Sequence, residues 1–484
     1  VSKCAVLLLV FVFLTASCVM VAKPVLSSAE VAEDSWTRKA PMHVARSKLG
    51  VAVVNGKIYA IGGDARHGQW PYAGSIVGTN EEYDTETDTW TFKAPMPTPR
   101  CGFAIAVYQN KIYCIGGYIG NGKYTGINEV YDPATDTWKN KTAMPTVRFE
   151  LQANVVNGKI YLIGGYDPLQ TEKYISDPEL YGFPNATSSL NEVYDPETDT
   201  WTTKTPIPVA TRDYPSAVVD NKIYIIGGLS GTPKADLNQI YDPETDTWRR
   251  GTLMPLGLRY GGAGATAGVN APKRIYFFSG NIFSGNKTQV YDPVKNRWTF
   301  GADLPTNRQN FAVAVVKDIL YVIGGYIRSY VDLYTFGDIL TQYATNEQYT
   351  PIGYGTIPPA VQVISPENTN YTSGNISLAF TVNKQALWMS YSLDRQENIT
   401  ITGNTTLTGL TNGLHNITVY AKDRFENMGA SETIYFSVTQ PEPTEHEPTE
   451  APLFTTTDLA IIAAVAVTVI IGIGFLAYFK KLQH

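Results

Sequence analysis

NEVYDPETDTW, residues 191–201, is one of five near-copies in a chain of 484 residues. NEEYDTETDTW occupies 80–90, NEVYDPATDTW 128–138 and NQIYDPETDTW 238–248, with a looser TQVYDPVKNRW at 288–298. A second marker travels with it. GKIYAIGG ends at Gly63, KIYCIGG at Gly117, GKIYLIGG at Gly165, NKIYIIGG at Gly228 and ILYVIGG at Gly325, while RIYFFSG ending at Gly280 is degenerate. The step from Trp36, Trp90, Trp138, Trp201 and Trp298 to the next glycine pair is 26 residues each time, and only the Trp248 unit is longer. Self-similarity at a period of about 50 residues is the mark of a propeller blade.

Each unit reads as four short strands. In the third, LQANVV and KIYLIGG flank Asn157-Gly158, a strong short-range hairpin signal. A variable loop leads to the strand NEVY, and Asp-Pro-Glu-Thr-Asp then turns the chain into TWTTK, whose Trp201 opens the outer strand. The 31 tyrosines, 8 tryptophans and 41 glycines suit an all-β chain rich in tight turns. Paired glycines permit close backbone approach where inner strands crowd. Trp36, Trp90, Trp138, Trp201, Trp248 and Trp298 are placed to wedge between blades.

The recurring Arg, Tyr-x-x-Gly-Gly, Tyr-Asp-Pro and Trp resemble the kelch family over about residues 36–355, in five full units and a sixth with a weaker end. The resemblance implies a closed ring, often with one blade built from both chain ends. Trp36-Thr-Arg-Lys-Ala-Pro-Met looks like an orphan outer strand, and the sixth unit, Asn310 to Gln348, lacks a tryptophan of its own. Trp36 could complete that blade; NEQYTPIG, with Tyr349, is a rival closing strand, and the choice stays open.

The flanks are of other kinds. Residues 1–29 have the layout of a secretory signal, an uncleaved anchor being the alternative. Residues 356–439 resemble an Ig-like or fibronectin-like β-sandwich stalk which, lacking cysteine, must rely on a core around Trp388, Tyr391 and Val419. A Pro/Glu/Thr-rich spacer at 440–457 comes next. Leu459 to Phe479 carries no charge and is followed by Lys480 and Lys481, so a transmembrane helix is expected at 458–480 and a cytoplasmic tail at 481–484. The expected whole is an all-β, six-bladed kelch-type β-propeller at 30–355, the sandwich, and one C-terminal membrane helix. That describes a single-pass protein of the cell membrane with its N-terminal ectodomain outside.

Chemistry is harder to find than architecture. A net charge of -6 without a long basic run argues against nucleic acid. Outside the leader only Cys101 and Cys114 remain. Pairing Tyr108 with Lys111 across the Gln109-Asn110 turn puts Cys101 opposite Tyr118 and Cys114 opposite Ile105, too far apart to bond, so two buried free thiols are expected. The propeller holds only His43 and His67, and no metal or cofactor is expected. Asp84, Asp132, Asp195, Asp242 and Asp292 follow the strand tyrosines and suit turn capping better than calcium binding.

The loops between second and third strands share a face with the links between blades. They vary while the scaffold repeats, which makes them the natural place for recognition. They carry Trp70, Tyr72, Tyr124, Tyr174, Tyr181, Phe183 and Tyr330, with Tyr118 and Tyr166 beside them. One arginine leads each blade, Arg46, Arg100, Arg148, Arg212, Arg259 and Arg308, ten or eleven residues after a tryptophan. Such a ring could hold an acidic sugar or a carboxylate peptide, or it could brace the blade links through backbone carbonyls. Sequons at Asn185, Asn286, Asn370, Asn375, Asn398, Asn404 and Asn416 are candidate glycosylation sites. The favoured function is a membrane-anchored recognition or adhesion head for a surface glycan or extracellular protein. The alternatives are a carbohydrate-active enzyme of the acidic-sugar epimerase or hydrolase class, for which Glu150 or Asp213 could serve as base, and a structural envelope protein.

Overall fold

A computed structural model describes residues 32–65, 68–69, 75–169, 186–229, 235–279, 285–330 and 338–441, with scattered helical positions between 461 and 474. The repeats form six four-stranded antiparallel sheets. The first is Gly50–Val54, Lys57–Ile61, Asn80–Asp84 and Thr89–Lys93, in order from the axis outward. Four further blades repeat this order from Ala104, Gln152, Ser216 and Gly262. The innermost strands follow one another round a closed ring, Gly50–Val54 packing against both Ala104–Tyr108 and Ala312–Val316.

The sixth blade uses both rival strands. Ala312–Val316, Ile319–Ile323 and Asn346–Thr350 supply its first three strands, and Ser35–Lys39, from the other end of the propeller, supplies the fourth. Trp36 sits directly opposite Tyr349, the ring centroids 4.9 Å apart. NEQYT thus takes the place that NEVYD holds elsewhere, and Trp36 the place of the missing tryptophan.

The blade junctions explain the repeated motif. Trp90 donates its indole N–H to the carbonyl of Ala40, while the Ala40 N–H is accepted by Asp88. The same two bonds, each 2.8–3.0 Å long, join Trp138 and Asp136 to Ala94, Trp201 and Asp199 to Thr142, Trp248 and Asp246 to Thr205, and Trp298 and Asn296 to Thr252. Each acceptor also takes a hydroxyl bond from its own blade's tyrosine, as Asp88 does from Tyr83 at 2.6 Å. At closure the N-terminal segment supplies both partners and so clasps the ring: Trp36 donates to the Ala302 carbonyl, and Asp34 accepts from the Ala302 N–H and from the Tyr349 hydroxyl. Asp34, Asp88, Asp136, Asp199, Asp246 and Asn296 all have positive φ, a conformation that Asp and Asn tolerate better than most side chains. Gly62 is glycine for a related reason, since a Cβ there would lie 2.7 Å from the Arg100 carbonyl of the next blade.

Smaller sheets complete the chain. Tyr326–Tyr330, Asp338–Gln342 and Gly68–Gln69 form a three-stranded sheet built from loops of the sixth and first blades. The chain divides into two compact units, one taking residues up to Gln362 with Thr381–Ser390 and Tyr420–Ser431, the other taking Val363–Phe380, Tyr391–Val419 and the chain from Glu432. In the second, residues 413–417 pair with 434–438, and His415, Ile417 and Val419 alternate inward as a half-buried strand requires.

The expected membrane anchor is corrected. Among the described residues no helix is long and apolar enough to cross a membrane, and most of 458–480 lies outside them. The single-pass, cell-membrane reading of the chain falls with that helix. The expected signal at 1–29 and the spacer beyond 441 also lie outside the described residues. Cys101 and Cys114 are buried free thiols, opposite Tyr118 and Ile105.

The clasp can be tested by substitution. Asp34→Ala should lower stability by about 1–3 kcal/mol, because Ala302 and Tyr349 lose their acceptor. Trp36→Phe should cost about 1 kcal/mol, the value of a single hydrogen bond. Both should appear as lower denaturant midpoints at an unchanged slope in equilibrium unfolding.

Candidate functional site: the channel mouth

Between the outer strand of one blade and the inner strand of the next, the chain makes a turn whose central residue has positive φ. These residues are Lys48, Gly102, Glu150, Asp213, Tyr260 and Asn310, with φ between 50° and 61°. Each donates its N–H to the carbonyl of its counterpart in the preceding blade, and Lys48 closes the circle on Asn310, at distances of 2.8–3.4 Å. Five of the six are not glycine. Left-handed backbone at Lys, Glu and Tyr is uncommon and costs energy, and such positions gather at functional sites.

The ring gathers charge. Lys48 Nζ lies 2.5 Å from Glu150 Oε1. Arg212 NH1 stands 4.0 Å from Glu150 Oε2, and the carboxyls of Glu150 and Asp213 are hydrogen-bonded to each other. Burial and the adjacent Glu150 charge push the Asp213 carboxyl well above its usual range. Burial works the same way on Glu150, but the charge of Lys48, the Asp213 and Lys48 hydrogen bonds and the charge of Arg212 outweigh it and hold that carboxyl low. The two acids thus oppose each other's ionisation, with Asp213 the one shifted upward. The Tyr260 hydroxyl, pushed up to about 12 by burial and by these two carboxyls, stays neutral.

An aromatic wall stands beside this cluster. Tyr124 packs on Phe149 at 4.8 Å, Phe149 on Tyr166 at 4.9 Å and Tyr118 on Tyr124 at 5.2 Å. Arg212 lies over the Tyr166 ring at 4.7 Å and Lys48 over Phe149 at 5.9 Å. Short bridges put these loops on the same face as the ring, Cys101 pairing with Tyr118, Phe149 with Tyr166 and Arg212 with Leu229.

The six expected arginines do not act alike. Arg46, Arg100, Arg148 and Arg308 have fully buried side chains, paired at 2.5–2.6 Å with Glu81, Glu129, Glu192 and Glu347 on the third strands. Further donors go to backbone carbonyls, those of Ala60, Cys114, Gly164 and Val322 among them, while the Nε of Arg46, Arg100 and Arg148 makes no hydrogen bond among the described residues. These four braces are enclosed and present nothing to a ligand, which corrects the picture of a six-membered cationic mouth. In the fourth and fifth blades the brace position holds Thr211 and Leu258, and the third strand offers Gln239 and Gln289, which bind the backbones of Val209 and Leu256 instead. Arg212 and Arg259 come one residue later and are partly exposed.

Of the loop aromatics, Tyr124 is in the wall. Trp70, Tyr72, Tyr174, Tyr181 and Phe183 lie outside the described residues, as does Asn185, and Tyr330 is placed only as part of its strand. Asn370, Asn375, Asn398 and Asn404 are exposed and Asn416 is half-buried, whereas the Asn286 amide donates to the Leu304 carbonyl at 2.8 Å. Among the described residues no group of three or more His, Cys, Asp or Glu is placed to hold a metal ion. Lys48, Phe149 and Tyr260 were not apparent from sequence as site residues, since only the ring geometry brings them together.

Family comparison agrees with the fold. Two kelch-motif families match, one at residues 45–97, 99–145 and 210–255 and the other at 147–208. Kelch motifs thus occupy residues 45–255 with short gaps, in keeping with the repeated four-stranded blades. The chain is 48% identical over 90 residues to an influenza virus NS1A-binding protein homolog of Xenopus laevis, covering 18% of this chain and 13% of that one. An F-box/kelch-repeat protein of Arabidopsis thaliana is 37% identical over 117 residues, 22% of this chain and 30% of that one. Alpha-scruin of Limulus polyphemus is 38% identical over 88 residues, 18% and 9% of the two chains. The matches thus span less than a third of these relatives' own length.

Two outcomes test the site. Arg100→Leu, which leaves Glu129 buried and unpaired, should cost about 3–5 kcal/mol, and Arg100→Leu with Glu129→Leu should recover much of that in the same unfolding assay. Asp213 contributes stability that is complete below the ordinary carboxylate range and is lost as pH rises through its raised folded value. Glu150, held low, contributes above its ordinary value and loses that contribution as pH falls. Asp213→Asn should therefore flatten the decline in melting temperature measured from about pH 4 to pH 8.

Proposed function

We propose that the propeller is a protein-recognition head whose partner seats on the loop-bearing face, around the ring from Lys48 to Asn310. The observation that carries this reading is the convergence, at strained backbone positions, of the Lys48–Glu150–Asp213 cluster and the wall of Tyr118, Tyr124, Phe149 and Tyr166. Aromatic rings beside fixed charges are what well-packed interface anchors require. In this reading Trp70, Tyr72, Tyr174, Tyr181, Phe183 and Tyr330 are further candidate contacts for the partner, and the β-module after residue 355 is an Ig-like sandwich. The NS1A-binding relatives, by name, bind a protein; that supports a partner of the same class here, without fixing which.

The test is site-specific crosslinking with the full chain. A photoreactive residue at Tyr124 should yield a protein adduct, and one at Val294, which is 84% exposed on a turn at the opposite end of a blade, should not. Phe149→Ala should then weaken the purified complex about tenfold or more. Adducts from Val294 alone, or equal capture at both positions, would reject the face.

A further inference from the structure

The spacing of the arginines carries more than the ring itself. Arg46, Arg100, Arg148 and Arg308 follow Trp36, Trp90, Trp138 and Trp298 by ten residues, whereas Arg212 and Arg259 follow Trp201 and Trp248 by eleven. Against the positive-φ residue of each blade the same shift appears: a brace arginine stands two residues before it, and Arg212 and Arg259 stand one before Asp213 and Tyr260. The compensating change is present, because both blades have Gln in place of the buried Glu, so that no carboxylate is left without its cation.

We propose that Arg212, moved out of the brace by this one-residue shift, anchors a carboxylate side chain of the protein partner, so that the mouth recognises an acidic peptide segment. The inference rests on the reading of this face as a protein-recognition site. Arg212 is held by its stack on Tyr166 and its side chain is 19% exposed. Its nearest carboxylate oxygen, on Glu150, is 4.0 Å away, beyond hydrogen-bonding distance. The four braces by contrast commit their terminal nitrogens to a glutamate and to carbonyls, leaving at most a buried Nε. A planar guanidinium, oriented by an aromatic face and with no side-chain hydrogen bond among the described residues, is matched to bidentate binding of a carboxylate.

The surrounding charges favour an anion. Glu150 already has Lys48 at 2.5 Å, and Asp213 is hydrogen-bonded to Glu150, so an incoming ammonium would have to displace one of these. Arg259 repeats the shift in the adjoining blade and is partly exposed, which extends the cationic arc in one direction. The aromatic wall bounds the other side.

The experiment selects a displayed library of random linear peptides on the full chain and resynthesises the enriched peptides with Gln for Glu and Asn for Asp. Enriched peptides should share an acidic position, and its amide isostere should bind tenfold or more weakly. Arg212→Gln should abolish that discrimination, and Arg250→Gln, exposed on the outer strand, should leave it intact. A triple variant, Thr211→Arg, Gln239→Glu and Arg212→Gln, rebuilds the brace and should fold yet lose the acid preference. Isosteres that bind as well as the acids, or an acid preference that survives Arg212→Gln, would overturn the inference. If Phe149→Ala weakens binding and acid content makes no difference, the recognition face stands and only the carboxylate anchor fails. Peptides indifferent to Phe149→Ala would overturn both.

Discussion

The ring depends on one small joint. A tryptophan indole N–H meets the carbonyl of a residue at the end of the preceding blade, and an Asp or Asn takes the N–H of that same residue. Both backbone groups of the joint residue are thereby satisfied by the next blade, at a place where the outer strand has just ended and no ladder partner remains. Because the acceptor is also held by its own blade's tyrosine, the joint is fixed from two directions. Each such hydrogen bond contributes about 0.5–1.5 kcal/mol net, so the pair at each joint both attaches and positions the neighbouring blade. The repeated DPETDTW is the chemical record of this requirement.

The scaffold and the recognition surface are made from the same positions. Where the arginine and glutamate face each other across a blade, they close the link and vanish from the surface. Where glutamine replaces glutamate, it holds the link through the backbone alone, and the arginine stands one residue nearer the axis. Asymmetry therefore enters a nearly six-fold ring without disturbing its closure. The strained turn residues add to it, since Lys48, Glu150, Asp213 and Tyr260 occupy equivalent backbone positions with different side chains. A ring of identical turns would have no single place to bind.

Much of this was legible in the chain, for reasons that differ from element to element. The blades were, because a period-two strand pattern, an Asn-Gly turn and a recurring tryptophan all point the same way. The closing strand was half-legible: Trp36 and Tyr349 each looked able to finish the sixth blade, and only pairing geometry shows that they occupy neighbouring strands. The arginines were found, but binding or bracing was weighed for all six together, although the difference between ten and eleven residues after tryptophan already separated two kinds. Glu150 and Asp213 were each visible as candidate acids, yet their contact joins residues 63 positions apart (213 − 150) and depends on blades being neighbours in space. The C-terminal apolar stretch was read as a membrane span from its length and absence of charge, and among the described residues no helix is long and apolar enough to cross a membrane.

The clasp has a consequence for how the molecule is made. Asp34 and Tyr349, joined in the finished ring, are 315 residues apart, so the strand that emerges first during synthesis is among the last to find its partner. At about 5–20 residues per second the ribosome needs tens of seconds to supply the missing edge. Through that interval Ser35–Lys39 exists as an unpaired strand with an unmatched tryptophan, beside five blades that can assemble from contacts much nearer in sequence. An open ring of this kind has a free edge that the clasp of another nascent chain fits as well as its own. Faithful assembly is then a contest between loop closure within one chain, whose entropic cost grows only slowly with length, and encounter between chains, which grows with their concentration.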